Sequence, residues 1–265
     1  MVVLSAAMAR SRSLPFEALR LGAVDVLAKP RGEGDEFERC AEELRAALRA
    51  VAGLAPSAVR AGAAARARPP PAPDVRAVSA LGIAASTGGP AALAGILAAL
   101  PPAFPLPVLV VQHIAAGFEA GLATWLGSLA PLPVKLARDG EPLGAGVYLA
   151  PEGRHLAVRS GRVQLDPGPL VNGFRPSGTP LFASLAREYG PRSAGIVLSG
   201  MGDDGAEGLL ALRRAGGFTA AQGPASSVVY GMPRAALESG AAAVSVELDD
   251  VPALLVRLAG LRATA

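Results

Sequence analysis

The sequence predicts an α/β protein: a mainly parallel sheet with helices on both faces, in three layers, plus an edge β-hairpin and a short βαβα fragment in front. Apolar runs of strand length recur with helical segments between them, as in "VSALGIAA", "PVLVVQH" and "AGIVLSG". Runs of that kind read as strands buried on both faces, which argues for a parallel sheet under helices. Each run ends in a Gly-containing turn, "STGGP", "AAGF" or "GMGDDG". Between Val51 and Pro73 the periodicity stops in "VAGLAPSAVRAGAAARARPPPAP", which has few large hydrophobes and closes on a proline cluster. That stretch is a linker. The 265 residues therefore divide into a fragment 1–50, a linker 51–73 and a main domain 74–265.

In chain order, the fragment reads as strand "VVLS", a helix around Leu14 to Leu21, strand "VDVLAKP" and a helix "GDEFERCAEELRAALRAV" with apolar residues at helical spacing. So few elements bury little core by themselves. In the main domain "VSALGIAA" leads through "STGGP" to the helix "AALAGILAAL", and "PVLVVQH" leads to "AAGFEAGLATWLGSLA". The stretch "GVYLAPEGRHLAVRSGRVQLDP" breaks the rhythm; its alternation and its turn at "RSGR" predict an antiparallel hairpin at one edge of the sheet. "AGIVLSG" then feeds the helix that follows "MGDDG". Phe118 and Trp125 sit at helical spacing and read as packing residues.

Composition excludes several function classes. No segment approaches the roughly 20 uninterrupted apolar residues of a bilayer span, and the charge of "MVVLSAAMARSRS" follows its apolar run, the reverse of a secretory signal. A cytoplasmic protein is expected. Cys40 is the single cysteine, which leaves no disulfide framework and no cysteine-rich metal site. The net charge is +3, and the 4% aromatic residues do not alternate with the arginines as stacking platforms would, which argues against nucleic acid.

In open α/β sheets ligands collect at the carboxyl ends of strands, and here those ends carry Ser86, His113 and the "GMGDDG" loop. A serine hydroxyl becomes a nucleophile only when a base takes its proton and a third group orients that base. The sequence has two histidines. His113 directly follows "PVLVVQ" and is the better placed base, whereas His155, beside Arg154 in the hairpin, is expected to be exposed or half-exposed with a structural role. Of the adjacent acids Asp203 and Asp204, one can cap the next helix while the other orients the histidine. Backbone amides of the same turn suit an oxyanion. Ala84 two positions before Ser86 rules out the G-x-S-x-G elbow, and the order Ser, His, Asp differs from that of the α/β-hydrolases. A dinucleotide site is disfavoured because the G-x-G-x-x-G spacing is absent. On residue chemistry alone a hydrolase and an anion-binding module both stand. Arg175 in "FRPSG" is a candidate contact for an acidic substrate segment.

The segments "GIAASTGGP", "VVQHIAAGF", "VYLAPEGRHL", "VNGFRPSGTPLFASLA", "GIVLSGMGDDGAEGLLALRRAGG" and "SSVVYGMPRAA" together resemble the chemotaxis protein-glutamate methylesterases, the CheB-type family, over Val78 to Leu261. The resemblance implies Ser86 as nucleophile, His113 as base and Asp204 as the residue orienting it. It also implies supporting roles for Thr87 and the Met201 backbone N–H, a lesser role for Asp203, and no cofactor or metal. The implied substrate is the methylated glutamates of chemoreceptor cytoplasmic helices, with glutamine deamidation open to the same site; neither nucleic acid nor membrane insertion is implied.

Residues 1–50 resemble the last part of a response-regulator receiver, with Ser5 matching the switch hydroxyl and Lys29 the phosphate-pairing lysine. The phosphate-accepting aspartate is expected on an earlier strand, for which Asp25 is no substitute. Two explanations stand, a start at Met1 inside a longer chain or a receiver that has decayed, and the first is favoured because half a receiver leaves an uncovered sheet edge. A full receiver would bring a chemotaxis histidine kinase as partner. Departures from the family are Gly223 and Pro224 in place of two acids, Gly178, Thr179 and Pro180 in place of an aspartate-bearing stretch, and Ile114 for methionine. The rival reading is an idle relative, a binding or adaptor module that uses "STGG" and "GMGDDG" without turnover. Joint retention of Ser86, His113 and Asp204 with Gly88 and Gly89 counts against it.

Overall fold

Strand β3 (Ala80–Ala85) is the middle strand of a seven-stranded sheet in which every pairing is parallel. In this computed structural model the described residues are 2–5, 17–19, 21, 23, 25–28, 37–38, 41, 44–45, 48–49, 52 and 78–261. After β3 the chain passes through helix α1 (Gly89–Ala98), β4 (Pro107–Gln112), α2 (Glu119–Leu129), β5 (Val134–Leu136) and β6 (Gly146–Leu149). It then forms β7 (His155–Arg159), β8 (Arg162–Asp166), α3 (Gly178–Tyr189), β9 (Ser193–Val197) and α4 (Ala206–Arg214). The last elements are β10 (Phe218–Gln222), α5 (Met232–Glu238), β11 (Val244–Val246) and α6 (Val251–Leu258). The sheet order is β11-β10-β9-β3-β4-β6-β5, so the chain builds outward from β3 on one side and returns to its other side at β9. Such a reversal of direction is where α/β sheets open a crevice.

The strands feed two cores, as predicted for a sheet covered on both faces. Leu81, Ile83, Val108 and Val110 meet Leu93 and Leu97 of α1, Leu122 and Leu126 of α2, and Leu254 and Leu255 of α6. Ala80, Ala84, Leu109 and Val111 meet Leu181, Phe182 and Leu185 of α3, Leu209 and Leu212 of α4, and Met232 of α5. The second face of β3 is built from Ala80, Gly82 and Ala84, and that smallness lets α3 come close. A Cβ on Gly82 would lie 2.7 Å from Leu185 Cδ1, and one on Gly178 would lie 2.7 Å from Ala84 Cβ. Phe118 is buried in the first core and Trp125 packs against it, in line with the sequence reading.

The hairpin forms with the predicted two-residue turn. Arg159 pairs with Arg162 across Ser160 and Gly161, both at positive φ, the left-handed conformation such turns need. Its place differs from expectation: β7 and β8 form a separate two-stranded sheet laid on α3, where Ser184 Oγ accepts from the Val158 N–H at 3.0 Å. The "GVYL" that opened the predicted hairpin is the parallel strand β6 instead, because all four of its residues are buried between β4 and β5. At the start of the chain β1 (Val2–Ser5) and β2 (Asp25–Ala28) pair in parallel, and the described residues from 37 to 52 are helical. Lys29, Cys40 and, apart from Ala52, the expected linker lie outside the described residues.

Candidate active site

Parallel register sets the site. Ala85 pairs with Gln112, so Ser86 and His113 are the next residues off two adjacent strand ends, and the His113 N–H donates to Ala85 O at 2.9 Å. On the other side of β3, Ser86 N–H donates to Ser199 O at 3.0 Å, which ties the serine to the loop leaving β9. Gln112 clamps both residues from below: its Nε2 donates to Ser86 O and to His113 O, each at 2.8 Å. Gly200 makes room for the nucleophile, since a Cβ there would lie 2.7 Å from Ser86 Cβ and run into Met232 Sδ.

After Ser86 and Thr87 the chain turns at Gly88, at φ 78°, and enters α1 with Pro90 in the first turn and no acidic residue there. The positive end of the α1 dipole therefore follows directly on Ser86, a favourable setting for negative charge developing at the serine. Thr87 is held through its carbonyl, which accepts from the buried Ser199 hydroxyl at 2.8 Å. Met201 is exposed, and its N–H donates to no protein group among the described residues.

His113 and Asp204 are brought together. Nε2 of His113 lies 2.8 Å from Asp204 Oδ2, with the histidine side chain 8% exposed and the carboxylate fully buried. A carboxylate only accepts, so Nε2 carries the proton and Nδ1 holds the lone pair. Nδ1 is buried and has no hydrogen-bond partner among the described residues, and no hydrogen bond yet joins it to Ser86. Catalytic hydrogen bonds commonly tighten only when substrate is bound. Phe174 stacks on the imidazole with ring centres 3.9 Å apart and planes 5° from parallel.

Asp204 owes its ionisation to its donors. Burial alone would push its carboxyl up, but the hydrogen bond and electrostatic attraction of the His113 Nε2–H, the Ser177 hydroxyl on Oδ1 and the Gly178 N–H on Oδ2 at 2.7 Å outweigh burial and hold it below the ordinary carboxylate range. Asp203 is exposed, and its expected capping role is not observed: Gly205, at φ 87°, is the N-cap of α4, with no side-chain cap.

One further expectation is corrected. His155 is not exposed or half-exposed but 3% exposed, because β7 lies under the 167–177 segment. Arg175 is half-buried, and one guanidinium nitrogen donates to Pro167 O at 3.0 Å and Gly168 O at 2.7 Å, so it braces this segment. At Gly223, where two acids were missed, the Glu247 carboxylate fills the space a side chain would need and accepts from Ser226 N–H at 2.9 Å. Gln112, Phe174 and Ser177 were not singled out in the sequence; "QH" and "FRPSG" gave no local signal that they would converge on Ser86, His113 and Asp204.

This geometry has known counterparts. The chain is 49% identical over 246 residues to the protein-glutamate methylesterase/protein-glutamine glutaminase 2 of Anaeromyxobacter dehalogenans, covering 92% of this chain and 71% of that protein. It is 44% identical to the protein-glutamate methylesterase FrzG of Myxococcus xanthus, covering 91% and 72%. The solved catalytic domain of Thermotoga maritima CheB methylesterase superposes with a TM-score of 0.66 at 35% identity, over 69% of this chain and all of that domain. Residues 81–255, which run from β3 into α6 and so include every side chain placed at the site above, match the family model described as CheB methylesterase, and the chain belongs to that family.

Proposed function

We propose that the protein is a serine hydrolase that removes γ-methyl esters from glutamates of chemoreceptor cytoplasmic helices, with Ser86 as nucleophile, His113 as base and Asp204 as the carboxylate that orients it. The observation that carries this is the His113–Asp204 pair at 2.8 Å, held at the end of the strand beside the one that ends in Ser86. Ser86 Oγ attacks the ester carbonyl carbon and its proton passes to His113 Nδ1, the ring nitrogen that Asp204 leaves open. The tetrahedral oxyanion collapses, and methoxide leaves as methanol with that proton. Water then gives a proton to Nδ1 and attacks the glutamyl-serine ester, and Ser86 is released with the proton restored. Asp204 stays ionised throughout and stabilises the imidazolium.

The Met201 N–H is the supporting oxyanion donor, with Thr87 and the N-terminal end of α1 beside it. A glutamine side chain follows the same route with ammonia as the leaving group, in keeping with the double name of the A. dehalogenans relative. The first fifty residues, with their parallel β1–β2 pair, are assigned to the closing part of a receiver-like unit.

The test is methanol release from receptor cytoplasmic fragments carrying radiolabelled methyl esters. Release by the full chain that disappears in Ser86→Ala is expected. No release from the folded full chain overturns the reading.

A further inference from the structure

We infer that Ser177 and His155 are positioning residues of this site, a buried relay that holds both the Asp204 carboxylate and the Phe174 ring against His113. The inference rests on the reading of Ser86, His113 and Asp204 given above.

His155 uses both ring nitrogens. The Ser177 N–H donates to Nδ1 at 3.3 Å, and Nε2 lies 2.9 Å from Pro169 O. An amide can only give a proton and a carbonyl can only take one, so this imidazole is neutral with its proton on Nε2. One ring thus pins both ends of the segment from Pro169 to Ser177. Inside that segment Val171 and Phe174 bond to each other through their backbones at 3.1 and 2.9 Å, and Arg175 braces it against Pro167 and Gly168. The segment delivers Phe174 to the face of His113 and Ser177 to Asp204.

Ser177 also caps α3, accepting from the Thr179 N–H at 3.2 Å. Capping alone does not account for the residue type, because glycine caps nearly as well as serine. A hydroxyl that accepts from Thr179 while donating to a buried carboxylate is a narrower demand, met by serine and threonine. The two branches from His155 meet again at His113: one runs through Ser177 and Asp204 to its Nε2, the other through the 169–177 segment and Phe174 to its ring face.

The experiment compares Ser177→Gly, which loses the Thr179 bond at a small capping cost and removes the donor to Asp204, with Ser177→Thr, which keeps both. Two rates are read: methanol release from methylated receptor fragments, and phosphonylation of Ser86 by a fluorophosphonate, in which a P–O bond forms, fluoride leaves and the serine proton goes to His113. Loss of one hydrogen bond to a charged group predicts that Ser177→Gly lowers kcat by about tenfold to about a hundredfold. KM is expected to stay within about twofold, because no substrate contact is removed. Phosphonylation slows by a similar factor. Ser177→Thr restores both rates to within about threefold of the original. His155→Phe, which keeps a ring but removes both the donor for Pro169 O and the acceptor for the Ser177 N–H, gives the same pattern more weakly.

Unchanged kcat and phosphonylation in Ser177→Gly, or equal losses in the glycine and threonine variants, overturns the inference. Slowed phosphonylation in Ser177→Gly with no methanol release from any form supports it while overturning the substrate reading, so the two failures are distinct.

Discussion

At Asp204 burial and hydrogen bonding pull in opposite directions, and the donors win. The folded value lies below the unfolded value near 3.8, so the stabilisation is fully present above that pH and is lost as pH falls through the folded value. Urea unfolding between about pH 6 and pH 2 is expected to show this acid-side loss in the original protein and less of it in Asp204→Asn. In the same variant an amide faces the donors of His113, Ser177 and Gly178, and kcat is expected to fall on the order of 10⁴-fold, as when a triad carboxylate becomes an amide. Gly200 works by absence. Gly200→Ala puts a methyl against Ser86 Cβ and Met232 Sδ, so activity is expected to fall by more than the thermal stability explains, with destabilisation of about 1–3 kcal/mol by urea titration. Replacing Phe174 by leucine keeps an apolar wall but removes the stack on His113. A loss of about 0.5–1.5 kcal/mol of ring contact predicts roughly a twofold to tenfold drop in kcat/KM.

The contact between β3 and α3 decides where the carboxylate sits. Gly178 opens α3, gives its N–H to Asp204 and lies against Ala84 of β3, so a side chain there must lift the helix end off the sheet. Gly178→Ala is expected to cost about 1–3 kcal/mol in urea unfolding and to lower kcat by more than a substitution of equal cost in α6. These elements were legible in the sequence because buried parallel strands and amphipathic helices each leave a local period: β3, β4, β9 and their helices fall where the apolar runs placed them. The placement of Ser86, His113 and the loop of Asp204 beyond strand ends was legible for a related reason, since each follows an apolar run. The hairpin's docking on α3, the burial of His155 and the bracing by Arg175 were not. They depend on how the 167–177 segment folds back over β7, a tertiary arrangement that no pattern within "GPLVNGFRPSG" encodes. Asp203 misled for the opposite reason, because its preference for caps is real but a left-handed glycine took the position.

For the whole molecule, the domain division proposed from the sequence makes a direct prediction. A chain beginning at Asp74 is expected to unfold in one cooperative urea transition and to keep kcat within about threefold of the full chain, because all seven strands of the sheet and every site residue lie beyond that point. Loss of folding or of turnover would show that residues 1–73 complete the domain. The sheet also divides the chain into two unequal halves. On one face α3 and α4 carry or abut Ser177, Gly178 and Asp204; on the other, α2 and α6 are packed by Leu122, Leu126, Leu254 and Leu255 and supply none of the site contacts. Tolerance to mutation should therefore be lopsided. Drift in α2 and α6 is filtered by stability alone and can be repaired by a compensating swap elsewhere in that core, whereas drift in α3 and its approach to β3 is filtered by chemistry as well. Lineages of this enzyme are then expected to diversify in α2 and α6 while α3, and the start of α1 behind Ser86, stay still.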